Sequence, residues 1–452
     1  MKKIYTINMV EGPVFRKILV FSLPLAATGI LQLLFNASDM IVVGKFAGGN
    51  SLAAVGATTS LIGLLTGTFL GVSIGVNIVV ARYLGCQDEE SVNTAIHTAI
   101  ALSILLGIGL LILGLFLSVP LLRLMGAPEE IMSLSSLYLR IYFLGVPANI
   151  TYNFGAAILR AFGDTQKPLL FLVFSGIINI SLNLLLVVGF GLDVAGVAIA
   201  TVAAQYISLI LVLYCLAHTE GSGHLDLKKL KMDWREAKNM LSVGLPAGLQ
   251  TAFFNVSNVI VQSTVNSFGA NVIAAASAAG NLETFTSLAM DAVFQAAVTF
   301  TSQNMGAGKL KRIPVIFRDA LLIVLILGIS VGGLTCLFGR QLLSIYISSG
   351  DPSYDAVIQY GMLRLIYVCG FQFLCGMMNV VCGMVRGFGY AWLPMVIAIV
   401  GICGLRILWI LTVFPMNRTL DTLYLAFPVS WVVTGAAQFV CYLVIWKKIK
   451  NF

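Results

Sequence analysis

Twelve continuous apolar stretches constrain this chain more than anything else in it. They read roughly at 16 to 43, 52 to 80, 93 to 118, 132 to 157, 167 to 189, 195 to 217, 240 to 265, 272 to 303, 314 to 338, 356 to 384, 392 to 414 and 422 to 446. Each is long enough to cross ~30 Å of hydrocarbon as a helix, which takes roughly 20 apolar residues. A bilayer offers backbone groups no water, so only helices and closed barrels span it, and a barrel would show short alternating segments instead of long runs. With 59% hydrophobic and 10% charged residues, the chain could not cover a water-exposed globule with a polar surface. The fold class expected is therefore an all-α polytopic membrane protein.

The net charge of +8 invites a nucleic-acid reading, which the placement of the charges removes. Of 27 Lys and Arg, twenty fall on the side that holds both chain ends, among them Lys2, Lys3, Arg16, Lys228, Lys229, Lys231 and Lys447. Four fall opposite (Lys45, Arg123, Arg340, Arg418) and three within spans (Arg140, Arg364, Arg406). This is the positive-inside pattern, and it predicts both termini in the cytoplasm of a multi-pass protein of the inner (cytoplasmic) membrane. Residues 1 to 15 hold no apolar core of signal-peptide length, so the first span is expected to be retained. The eight cysteines fall in spans or on the cytoplasmic side, which argues against a disulfide framework, and no CxxC or Cys/His cluster suggests a metal.

The chain is also duplicated. Leu23-Pro24 followed by Phe35-Asn36-Ala37-Ser38-Asp39 returns as Leu245-Pro246 followed by Phe254-Asn255-Val256-Ser257-Asn258. Arg140 and Arg364 occupy matching places, as do Arg160-Ala161-Phe162-Gly163 with Pro168 and Arg386-Gly387-Phe388-Gly389 with Pro394. An even number of spans precedes the second copy, so two parallel six-helix lobes around a central cavity are expected. The boundaries read as an N-lobe at 1–220, a cytoplasmic linker at 221–238 and a C-lobe at 239–452. Lys228, Lys229 and Lys231 in that linker read as a solvated topogenic loop, with lipid headgroup contact as the alternative.

Three carboxylates lie deep in the apolar spans: Asp39, Glu283 and Asp291. An acid at a helix centre costs about 2.5 to 3.5 kcal/mol, so each needs a partner, a water-filled cavity or a proton. Neutralisation by an intramembrane arginine is the structural alternative to a proton-coupled role. Asn179 and Asn183, four apart, share one face of the fifth span, and Thr201 follows in the sixth. One carboxylate, two amides and a hydroxyl could hold a proton or a small hard cation such as Na⁺. An Asn pair in a membrane helix also serves as interhelical hydrogen-bond glue.

The pattern resembles the multidrug and toxic compound extrusion (MATE) family of secondary antiporters. The resemblance rests on the twelve spans in two lobes, Asp39 ahead of Gly44, and Gln303-Asn304-Met305-Gly306-Ala307-Gly308 closing the eighth span, and it covers about residues 11 to 447. It implies a cation-coupling site in the N-lobe made of Asp39, Asn179, Asn183 and Thr201. Where some branches carry a seventh-helix acid, this chain has Phe254-Asn255, which leaves Glu283, with Asp291 and Asn255, as the candidate C-lobe cation or substrate site. Phe35, Phe253, Phe254, Met290 and Phe294 are candidates for an adaptable cavity wall, with plain packing as the alternative.

No phosphate-binding loop is present: Gln303 to Leu310 lacks the leading Gly and the Ser/Thr after Lys309. No cofactor is expected beyond H⁺ or Na⁺ as coupling ion, and no metal beyond that Na⁺. The reading is a monomeric, non-enzymatic antiporter that exports drugs or other small lipophilic, cationic molecules by alternating access. A lipid-linked oligosaccharide flippase of the same superfamily and an intramembrane enzyme are the alternatives.

Overall fold

The structure, a computed structural model, describes residues 7–347 and 350–451, apart from the side chains at positions 60, 64 and 65. Lys2 and Lys3 lie outside the described residues. Twelve long helices follow one another: α1 (Val14–Ala47), α2 (Gly49–Cys86), α3 (Glu89–Leu124), α4 (Glu129–Ala161), α5 (Gln166–Gly189), α6 (Asp193–Ala217), α7 (Trp234–Asn266), α8 (Ala270–Gly306), α9 (Leu310–Leu337), α10 (Tyr354–Gly387), α11 (Trp392–Met416) and α12 (Leu420–Lys450). Each expected apolar stretch falls on one of them, the ninth running one residue past Leu337. Ten are apolar enough by length and composition alone to cross a membrane. The other two, α7 and α8, are long enough at 33 and 37 residues but interleave polar side chains such as Gln250, Asn258, Glu283 and Asp291.

Helix ends follow local chemistry. Asp88 caps α3 by accepting from the Ser91 backbone N at 3.0 Å, and Glu89 and Glu90 follow in the first turn, where the helix dipole favours negative charge. Gln87, at φ 57°, reverses the chain after α2. Three helices contain π-helical turns: Val43–Ala47 in α1, Leu184–Gly189 in α5 and Ile399–Gly404 in α11. Such turns insert a residue into the helical register and recur at functional sites. Two of the three lie in α5 and α11, which the sequence repeat makes equivalent.

The chain forms two compact units that depart from a clean division at 1–220 and 239–452. One comprises Ala27–Gly248; the other comprises Asn8–Ala26 together with the chain from Leu249 on. The first parts of α1 and α7 have therefore changed places, and each boundary falls two residues past a proline inside the helix, Pro24 or Pro246. Small residues account for the first exchange. A Cβ at Gly71 would lie 2.2 Å from the Gly248 backbone N, and one at Gly75 would lie 2.1 Å from the Met240 carbonyl, so α2 and the first half of α7 meet backbone to backbone. Tyr83 Oη closes the contact by donating to both carboxylate oxygens of Glu236, at 2.9 and 3.0 Å.

The second unit takes in Asn8–Ala26 in the same manner. Phe21 packs edge-on against Phe300 with centroids 5.6 Å apart, and Ser22 Oγ donates to the Ala292 carbonyl. The buried Asn304, from the Gln303–Gly308 motif, donates to the Met9 carbonyl at 3.1 Å and to the Phe300 carbonyl at 2.8 Å. Lys309 and Arg312 donate to the carbonyls of Val10 and Gly12. That motif thus anchors the chain start to α8.

The linker is shorter and better anchored than a solvated loop at 221–238. Trp234 already begins α7, and the Asp226 and Asp233 backbone N–H groups donate to His97 Nε2 and Thr98 Oγ1 of α3, both at 3.1 Å. Asn93 Nδ2 donates to the His224 carbonyl, and Leu225 is buried. His97 therefore acts as a strap for the linker. Lys228 and Lys229 remain exposed.

Candidate functional site

The first unit brings Asp39, Asn179, Asn183 and Thr201 together. Asp39 lies near the end of α1 and is 8% exposed; Asn183, the last residue before the π-helical turn of α5, is 0% exposed. Asn183 Nδ2 donates to Asp39 Oδ1 at 2.5 Å and to Asn179 Oδ1 at 3.2 Å. Thr201 Oγ1 donates to Asp39 Oδ2 at 3.2 Å and accepts from Asn179 Nδ2 at 3.4 Å. Among the described residues Asp39 makes no ion pair. The negative charge is met by one amide and one hydroxyl and by no guanidinium.

Close approach of α1 and α5 makes the cluster. A Cβ at Gly176 would lie 1.9 Å from Phe35 Cζ, so the aromatic ring rests directly on the α5 backbone one turn before Asn179. Only glycine leaves that space. Phe35, a candidate for a cavity wall, is thus a spacer between the two helices that carry the cluster. One atom remains unmatched: Asn183 Oδ1 is buried and has no hydrogen-bond partner among the described residues. Buried acceptors in native proteins are nearly always paired with protein, water or an ion. Asn183 Oδ1, Asn179 Oδ1, Thr201 Oγ1 and the Asp39 carboxylate are all oxygen donors of the kind a hard cation takes.

Sequence reasoning passed over Tyr138 and Tyr142 of α4, buried residues of the same unit whose rings stack 6.3 Å apart. Their spacing of four on one helix face was the available signal. It is a common packing pattern and carries little information alone.

The candidate residues of the second unit have different fates. Glu283 of α8 is paired with Arg364 of α10 at 3.0 Å, so its charge already has a guanidinium partner. Asp291 is exposed and makes no hydrogen bond or ion pair among the described residues. Asn255 and Phe253 are exposed on α7, while Phe254 packs against the core around Phe427 and Trp431. Met290 is 1% exposed, and a Cβ at Gly376 would lie 2.9 Å from its sulfur, so it fills the helix packing and lines no cavity. Phe294 carries the Arg386 guanidinium over its ring at 5.7 Å and is likewise a packing residue.

Asn258, the counterpart of Asp39, accepts from Arg406 Nη1 of α11 at 3.3 Å, and Arg406 Nε donates to Ser430 Oγ of α12 at 3.1 Å. The guanidinium lies 4.2 Å from the centroid of Phe427. A cavity of about 480 Å³ adjoins this arrangement, with Asn258, Gln262, Glu283, Ser287, Arg364 and Phe427 in its wall. Repeat alignment sets Arg406 beside the position of Asn179, and sequence reasoning recorded it only as an intramembrane charge. No group of three or more metal-ligating side chains occurs among the described residues, and the described cysteines form no disulfide.

A duplicated twelve-helix membrane protein with a buried, unpaired acid among amides and a hydroxyl is built as a transporter. A family model described as MatE matches residues 24–185 and again 246–411, one match for each half of the repeat. The chain belongs to the MATE family, a family of transporters and not of enzymes. It is 27% identical over 445 residues to the probable multidrug resistance protein YoeA of Bacillus subtilis, covering 96% of this chain and 95% of that protein. It is 25% identical over 446 residues to a protein of Shewanella oneidensis named FAD transporter, covering 96% and 95%. A solved structure described as the outward-facing conformation of a multidrug resistance MATE family transporter of the MOP superfamily matches with a TM-score of 0.90. That match covers 100% of both chains at 22% identity and bears on the fold.

Proposed function

We propose that the protein is a cation-coupled antiporter that exports lipophilic, cationic drugs, with Asp39, Asn179, Asn183 and Thr201 as the site of the coupling H⁺ or Na⁺. The observation that carries this reading is Asp39, a buried carboxylate with no cationic side chain beside it, bonded to the Nδ2 of Asn183, whose own buried Oδ1 has no partner among the described residues. A carboxylate in such a place is costly unless it takes up a proton or a cation. Either ion fits: a proton titrates the carboxylate, and Na⁺ would meet the four oxygen-bearing side chains.

Coupling needs the ion and the exported molecule to favour different states, because a ligand shifts an equilibrium only by its differential affinity. Ion uptake at Asp39 removes the charge that holds the Asn183 and Thr201 hydrogen bonds in their present form. The cluster then relaxes, α1 repacks against α5, and the exported molecule is released. Return of the empty carrier requires the ion to leave on the other side. The positive-inside distribution of Lys and Arg supports cytoplasmic termini, and with them export toward the opposite face. Relatives carry names for multidrug resistance and for FAD transport, which supports an amphipathic, aromatic substrate class.

The test is export of a fluorescent cationic dye by the purified full-length protein in proteoliposomes, with a proton gradient alone and then a sodium gradient alone. One gradient is expected to drive accumulation. Equal dye movement with neither gradient would overturn the antiport reading.

A further inference from the structure

Cations outnumber acids where the second unit holds Asn8–Phe15 against α9. Lys17 Nζ donates to the carbonyls of Asn8 and Glu11, both at 2.6 Å, Lys309 Nζ to that of Val10 at 3.2 Å, and Arg312 Nη2 to that of Gly12 at 3.0 Å. Lys309 also pairs with Glu11 at 3.6 Å, and Arg318 pairs with Asp319 at 2.8 Å. Lys17 and Arg312 have no ion-pair partner among the described residues. Four cations (Lys17, Lys309, Arg312, Arg318) thus stand against two acids (Glu11, Asp319), an excess of two positive charges.

A cavity of about 310 Å³ lies at this junction, with Gly12, Phe15, Arg312, Val315, Arg318 and Asp319 in its wall. Both guanidinium groups have donors to spare. Arg312 commits Nη2 to the Gly12 carbonyl, while its buried Nε has no partner among the described residues. A buried donor is nearly always paired in a native protein. Arg318 places Nε and Nη2 on a single Asp319 oxygen, Oδ1, at 3.0 and 2.8 Å, which leaves its other N–H groups unused. Its side chain is 68% exposed and that of Asp319 only 6%, so the open face of this pair is the guanidinium. Phe15 is the second residue of α1, and the first N–H groups of a helix lack intrahelical acceptors and carry partial positive charge.

The rest of α9 selects the kind of anion. Val315, Arg318, Leu322, Ile326 and Ile329 follow one another at spacings of three or four and so share one helix face. All five side chains are exposed, and four are apolar. A cation above an apolar stripe matches a phosphate carried on acyl chains and not a free phosphate.

We propose that this cavity is a binding site for an anionic glycerophospholipid, whose phosphate sits between Arg312 and Arg318 while an acyl chain runs along Leu322, Ile326 and Ile329. The Arg318 guanidinium shields the phosphate from the Asp319 carboxylate. The lipid supplies the acceptor that Arg312 lacks and fastens the start of α1 to α9. Basic pockets between helices on the cytoplasmic side are where acidic headgroups dock, and the positive-inside pattern supports that side for this cluster.

The experiment offers the purified full-length protein equimolar phosphatidylglycerol and phosphatidylcholine in mixed micelles and counts the lipids it retains by native mass spectrometry. Wild type is expected to retain one phosphatidylglycerol in preference to phosphatidylcholine. Three variants each lower the net charge by one: Arg312→Gln, Val315→Glu and, on the exposed linker, Lys228→Gln. The first two should cut the preference by about fivefold or more, the weight of one cation at an anionic surface, and the third should leave it unchanged. Val315→Glu removes no side-chain hydrogen bond, so it tests the pocket even where Arg312→Gln loosens the hold on Gly12. Equal retention of the two lipids by wild type, undiminished preference in Val315→Glu, or a loss in Lys228→Gln as large as in Val315→Glu overturns the proposal. A parallel arm adds an excess of inorganic phosphate. Displacement of phosphatidylglycerol by it would show that the site takes free phosphate, and the lipid assignment falls. The readout involves neither an ion gradient nor an exported molecule, so it stands apart from the exporter reading.

Discussion

Gly176→Ala sets two physical effects of opposite sign against each other. Helix propensity alone favours alanine over glycine by about 1 kcal/mol in a helix interior. Packing opposes it, because the added Cβ would lie 1.9 Å from Phe35 Cζ. Carbon atoms rest at about 3.5 to 4.0 Å, so α1 and α5 would have to part by roughly 1.5 to 2 Å or the ring would have to leave its rotamer. Overpacking of this kind costs about 1 to 3 kcal/mol. A separation of that size also takes the Asn183 to Asp39 hydrogen bond, now 2.5 Å, beyond bonding range. Gly176→Ala should therefore lower the melting temperature of the purified protein and reduce gradient-driven dye export by about tenfold or more. Phe35→Leu removes the three ring atoms nearest the new methyl, so the double variant should recover most of both losses. The assays are thermal unfolding by intrinsic fluorescence and export in proteoliposomes, run on the two single variants and the double. A single Gly176→Ala variant as stable and active as wild type would refute the packing account, and so would a double variant no better than the single.

Two further outcomes are expected. Asn183→Ala removes a donor to a charged carboxylate, a bond worth about 1.5 to 3 kcal/mol; it should shift the ion concentration for half-maximal export by roughly tenfold or more, whichever ion drives it, as read from a titration of initial rates. His97→Ala removes the acceptor of the Asp226 N–H at a cost of about 1 kcal/mol. Trypsin should then cut faster after Lys228 or Lys229, as followed by gel, with little change in export.

Much of this architecture is legible because the bilayer reduces the options. Apolar runs at twelve places leave helices as the only economical reading, and the repeated Leu-Pro and Phe-Asn phrases make the halves equivalent. Asp39, Asn179 and Asn183 are recognisable because intramembrane polar groups are scarce and the spacing of four sets the two amides on one face. What stays hidden depends on register and on backbone approach. The π-helical turn at Ile399–Gly404 rotates the residues after it, so Arg406 reaches Asn258 although the repeat aligns it beside Asn179 and not on it. The exchange of the α1 and α7 halves turns on glycine backbones meeting at Gly71, Gly75, Gly244 and Gly248, which in sequence are four among 44 glycines. Met290 looked like a flexible wall residue, and only the absence of a side chain at Gly376 shows why it is core.

The central claim is that the Asp39 carboxylate is the group through which an ion gradient drives export. Asp39→Asn keeps the size and, with Oδ1 accepting from Asn183 and Nδ2 donating to the Thr201 hydroxyl, both contacts, while removing the charge. The decisive measurement compares wild type and Asp39→Asn in the same proteoliposomes, once for gradient-driven accumulation of dye and once for dye counterflow with no gradient. The account predicts that the variant loses gradient-driven accumulation and retains dye counterflow. Accumulation by Asp39→Asn at the wild-type rate, with the same dependence on the gradient, would contradict it.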